Sequence, residues 1–97
     1  MRPVFHSDLT AAARALLFAP RRGREELCRM MLREAEWADR FTQRLGKVHP
    51  VWGNGTLSDA ASRRPLAFEV PLDDPEYCAC LALVLLHLSH RPRSFHM

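Results

Sequence analysis

Residues 73–88 are the most apolar stretch of the chain and restrict its fold more than any other. Asp74 can accept a backbone N–H of a first helical turn, and Pro75 suits the first helical position, where no N–H is needed. From Cys78 to Leu86 no side chain is strongly polar on any face. A helix that is apolar all round has to be covered by neighbours on several sides. The pattern therefore predicts a buried core helix over 75–90, lying in the middle of the protein. It is too short for a membrane span, which needs about 20 apolar residues.

Three more helices are expected around it. Ser7 or Asp8 caps a helix that runs to Phe18, with Leu9, Ala12, Ala13, Leu16 and Leu17 on one stripe and Pro20 beyond its end. A short link through Gly23 turns the chain back, so the first two helices form a hairpin. The second helix is the longest, over 24–45, and Gly46 closes it by entering the left-handed region without a Cβ penalty. Leu27, Met30, Met31, Ala38, Phe41 and Leu45 fall on one side of it, which reads as the core side. The other side carries Arg22, Glu26, Arg29, Arg33, Glu36, Arg40 and Arg44 at spacings of three and four, so that acids and bases pair along it.

After a loop with breakers at Pro50, Gly53 and Gly55, Thr56 opens a short helix to about residue 63, with Asp59 placed to return the capping bond. Pro65, Pro71 and Pro75 keep the next segment extended, laid across the helices. The fold expected is all-α: a small bundle of three main helices and a short one, forming one domain over residues 1–90. Residues 91–97 read as a flexible basic tail. Ninety-seven residues are enough for a core without staples.

The three cysteines, Cys28, Cys78 and Cys80, are an odd number, and two of them sit on nearly opposite sides of one helix, so they read as reduced thiols. Within the apolar run Cys80 should be inert, which leaves Cys28 as the accessible thiol. The first eight residues lack the apolar run and cleavage site of a secretory signal, which points to the cytoplasm. The formal charge of +3 invites a nucleic-acid reading, but thirteen of the fourteen basic residues are Arg, a bias that a GC-rich coding sequence also produces.

Chemistry is sparse. Glu34 falls among Met30, Met31, Ala38 and Phe41, where a carboxylate needs a partner. It is either a structural tie, to an Arg, an indole N–H or the 49–54 loop, or a functional acid in a cleft. In that loop Gly53 and Gly55 flank Asn54, and their N–H groups either face an anion or form a tight turn that packs Trp52 on the core. Trp37 lies between the apolar and charged sides of its helix, as a boundary residue with an Arg stacked on it or as an anchor for a partner. His87 and His90 share a helix face, but no third ligand is near, so no metal and no cofactor is implied. No nucleophile, base and acid can be assembled, which leans away from an enzyme.

The 49–57 loop around Trp52 and Asn54, with Arg2, Pro3 and Val4 at the start and the Asp74, Pro75, Tyr77, Ala79, Cys80 pattern near the end, resembles a family of short uncharacterised alphaproteobacterial proteins. The resemblance implies a single-domain bacterial cytosolic protein and no catalytic residue. Three functional readings follow. The first is a noncatalytic interaction or regulatory protein, with a protein partner or a second copy meeting the Trp37 and Phe41 edge. The second is nucleic-acid binding through Arg29, Arg33, Arg40 and Arg44. The third is a small-molecule site, binding or catalytic, built from Glu34, His49, Trp52 and Asn54.

Overall fold

A computed structural model describes residues 1–91. It contains α1 (His6–Phe18), a 3-10 turn at Arg21–Gly23, α2 (Arg24–Leu45), α3 (Leu57–Ser62) and α4 (Pro75–Ser89). The fold is an all-α bundle of three main helices and one short one, and among the described residues the only bridge between extended segments joins His49 and Gly53. The local punctuation works as its chemistry requires. Asp74 Oδ1 accepts the Tyr77 N–H at 2.9 Å, and Gly46 closes α2 at φ 70°, donating to the Thr42 carbonyl.

The centre of the bundle is α1 rather than α4. Ala11, Ala12 and Ala13 are all buried, and successive helical residues point about 100° apart, so α1 is covered over more than half its circumference. Its run of alanines has no bulk to hold neighbours off, and α3 and α4 pack on it more extensively than α2 does. By contrast, α4 inserts only Tyr77, Cys80 and Val84 fully into the core and leaves Leu85 and Leu86 about half exposed. The expectation that the last helix lies in the middle is therefore corrected. An apolar surface on every side permits burial but does not say which side is covered.

The covered side of α2 also differs from the expected stripe. Cys28, Met31, Leu32, Ala35, Ala38 and Asp39 face inward, whereas Met30 and Leu45 are exposed. Small Ala35 and Ala38 allow close approach, and Asp39 is tolerated because the Met1 ammonium lies 3.2 Å from it and 3.1 Å from Glu36. Burial alone would raise the Glu36 carboxyl. The hydrogen bond and charge of that ammonium, with Arg91 and Arg40, hold it below the ordinary glutamate value instead.

Polar ties orient the helices. Asp8 does not cap α1 from outside as expected but sits within its first turn, where its carboxylate accepts the Phe5 and Ser58 N–H groups at 2.9 Å each and joins the starts of α1 and α3. Arg24 donates from Nε to the Leu16 and Ala19 carbonyls at 2.6 and 3.2 Å, and from Nη2 to the Leu17 carbonyl and Glu76 at 3.1 and 2.6 Å. One guanidinium thus closes the C-terminus of α1 and links it to the starts of α2 and α4. The segment after α3 is extended, as its prolines require, and pairs with α1 through Ala67 N–H to the Arg14 carbonyl and Arg14 Nε to the Ala67 carbonyl.

Candidate functional site

The 49–56 loop is built by its own polar groups. His49 and Gly53 exchange backbone bonds, and His49 Nδ1 accepts the Val51 and Trp52 N–H groups at 3.0 Å each. The Asn54 N–H goes to Asp59 Oδ2, and Asn54 Oδ1 accepts both the N–H and the hydroxyl of Thr56. Gly55 is at φ 93°, and a Cβ there would lie 2.7 Å from the Asp39 Cα, so this backbone rests directly on α2. These N–H groups are spent inside the loop. Of the two readings of this loop the structure has the tight turn, with Trp52 packed against His49 and Trp37, and the return bond from Asp59 goes to Asn54 instead of Thr56.

What the loop presents is aromatic surface. His49 stacks on Trp52 with centroids 4.6 Å apart, Trp52 meets Trp37 at 4.9 Å, and Phe41 meets His49 edge-on at 4.6 Å. Trp37 remains 42% exposed, with the Arg33 guanidinium 5.9 Å from its ring centre. Trp37 is thus packed on one side and open on another. Glu34 lies apart from this cluster. It forms an ion pair with Arg64 at 2.7 Å, and Arg64 also donates to the Ala60 carbonyl, so the carboxylate ties α2 to the end of α3.

The outer face of α2 carries Arg29, Arg33, Trp37, Arg40 and Arg44. The end of α4 brings His87, His90 and Arg91 opposite its middle, enclosing a cleft of about 550 Å³ floored by Leu32 and Glu36. A second hollow of about 400 Å³ beside Phe41, Arg44 and Leu45 shares Trp37 and Arg40 with the first. The two make one trough along α2. Charge within it is unevenly committed. Arg29 is paired with Glu25 and Glu26, Arg91 with Glu36, and Arg40 more loosely with Glu36 at 3.8 Å. Among the described residues Arg33 and Arg44 have no carboxylate within 4.0 Å.

The structure therefore brings together Trp37, Trp52, His49 and the four arginines, and assigns Glu34 and Asn54 to structural bonds. Sequence reasoning missed that His87, His90 and Arg91 belong to this face. Arg91 joins the folded unit through Glu36 rather than beginning a loose tail, and residues 92–97 lie outside the described residues. Among the described residues no group of three or more His, Cys, Asp and Glu is placed to hold a metal ion. The thiols are also reassigned: Cys28 is buried and Cys78 is exposed. Burial pushes Cys28 up to about 11, against Arg29, which lowers it, and with Glu25, which adds to the rise.

A family model described as a domain of unknown function (DUF7742) matches residues 2–88. The chain belongs to that family. The matched DUF7742 segment takes in α1, α2, α3, the aromatic loop and α4 but for its last residue, and stops short of His90 and Arg91. No curated protein and no solved structure matches the chain. No helix among the described residues is long and apolar enough to cross a membrane.

Proposed function

We propose that this member of the DUF7742 family is a noncatalytic interaction protein whose working surface is the trough along α2, and that its partner is anionic there. The observation that carries this is the half-exposed Trp37 ring, propped on Trp52 and flanked by Arg33, a cation with no carboxylate partner among the described residues. A rigid aromatic beside uncommitted guanidiniums is an adhesive combination at binding surfaces. The reading is of a bacterial cytoplasmic protein, in keeping with its three free thiols and its resemblance to alphaproteobacterial sequences. The probe is inorganic polyphosphate, followed through the tryptophan emission at low and moderate salt. Salt-sensitive binding that the double variant Arg33→Glu, Arg44→Glu abolishes is the expected result. Polyphosphate that never binds, even at low salt, removes the basis for an anionic partner.

A second reading, self-association, has its own observation. α4 turns Cys78, Ala79, Ala82, Leu85 and Leu86 outward, a face without a charge on a chain that is 26% charged. Two copies carrying the same net positive charge can meet along such a face without repulsion across it. This moves the self-association surface from the Trp37 edge to α4. Size-exclusion chromatography with light scattering tests it: a dimer should become a monomer in Leu85→Glu and persist in Trp37→Ala, and a wild-type protein monomeric at high concentration refutes it.

A further inference from the structure

The geometry of the trough points to single-stranded nucleic acid as the anionic partner, an inference that rests on the reading of the trough given above. Its cations and rings alternate along one helix face: Arg33, Trp37, Arg40, Phe41, Arg44. Arg40 and Arg44 are one turn apart, about 6 Å at 1.5 Å per residue. Successive phosphates of a strand can therefore follow these guanidiniums, and in a single strand a base beside them is free to leave its neighbours and seat on an indole.

Trp37 is prepared to receive that base. Its ring is held by Trp52, itself stacked on His49, whose Nδ1 is occupied by two loop N–H groups. The platform is thus rigid before any ligand arrives. Arg33 lies over the ring, is exposed, and has no carboxylate partner among the described residues, so it can swing aside and close again as the second slice of a sandwich. The whole face from Arg29 to Arg44 is about 22 Å long, which holds on the order of four to six nucleotides. His87 and His90 form the opposite wall; His87 Nε2 faces Glu25 at 3.8 Å, and the exposed His90 supplies a ring N–H donor to sugar or base edges.

A duplex fits less well, because its bases are already stacked on one another and leave Trp37 nothing to cover. The connection from α2 to α3, residues 46–56, is also much longer than the three or four residues of a helix-turn-helix.

The test is fluorescence anisotropy with a labelled twelve-nucleotide single strand, the same sequence as a duplex, and an abasic strand of equal length and charge. The single strand should bind about tenfold more tightly than the abasic strand, the usual worth of one aromatic stack. With about two phosphate contacts, from Arg40 and Arg44, affinity should fall about sevenfold between 50 and 200 mM salt. Trp37→Leu, which keeps apolar packing on Trp52 but removes the flat ring, should bring the single strand down to the abasic level and leave abasic binding unchanged. Arg44→Gln should weaken all strands alike and flatten the salt dependence. Equal binding of single and abasic strands by the folded wild type overturns the inference while leaving an anionic partner standing. Preference for the duplex, or a mononucleotide that competes at the oligonucleotide's own concentration, also overturns it. Failure of polyphosphate and of every strand removes both readings together.

Discussion

Arg24→Ala should be the most destabilising single change at any surface-reaching residue of this protein. The side chain is 11% exposed and bonds four acceptors: the carbonyls of Leu16, Leu17 and Ala19, and Glu76. The last carbonyls of a helix have no partner inside it, so removing the guanidinium leaves the end of α1 dependent on water entering a half-closed site. The short bond to Leu16 should contribute about 1.5 kcal/mol, and the two longer carbonyl bonds together about 1 kcal/mol. Glu76 is 39% exposed, so its pair with Arg24 is discounted for solvent screening to about 0.5 kcal/mol. The sum is about 3 kcal/mol, which for a domain of this size lowers Tm by about 15 °C. Urea unfolding and calorimetry of Arg24→Ala and Arg24→Lys would measure it. Lysine restores charge to Glu76 but lacks the planar fork that reaches several carbonyls at once, so it should recover less than half. If Arg24→Lys matches wild type, charge alone matters and the cap argument is wrong. If Arg24→Ala costs under about 0.5 kcal/mol, the end of α1 is satisfied by water.

Three further outcomes are expected. Gly55→Ala should cost about 2–4 kcal/mol in urea unfolding, because it combines a positive φ with a Cβ 2.7 Å from the Asp39 Cα; a loss below 1 kcal/mol would mean the loop lifts off α2 freely. One thiol per chain, Cys78, should react rapidly with a disulfide reagent in the native state and three after denaturation, since burial raises both Cys28 and Cys80. Cys78→Ser should abolish the fast phase. Glu36, whose folded pKa is lowered, contributes stability that is present above its unfolded pKa and is lost as pH falls through the folded one. The stability gap between wild type and Glu36→Gln should therefore be full near neutrality and close in the acid range, as read by denaturant midpoints across pH. A gap that stays constant down to strong acid would show that the Met1, Arg40 and Arg91 contacts do not favour the charged form.

Much of the architecture could be read locally because helix ends are local chemistry. Asp74 with Pro75, Thr56, Gly46 and Pro20 act on backbone groups within four residues, and the bounds of α2 and α4 follow from them. The candidate site was legible only in pieces. Trp37, Trp52, His49 and the arginines of α2 stand out as residues the core does not require, yet nothing in the sequence says that they meet. Glu34 stood out equally and proved to be tied to Arg64, thirty residues away.

By itself the sequence determined the all-α class, the order and limits of the helices, and the extended path forced by its prolines. Only the tertiary structure decided which faces were covered. Helix periodicity ranks the faces of one helix against water, but burial depends on which neighbours can approach most closely. Four alanines made α1 the centre, whereas the more apolar α4 was left with an open side. The same packing carried the end of α4 to the middle of α2 and set His87, His90 and Arg91 across from Trp37, making a trough that no single segment encodes.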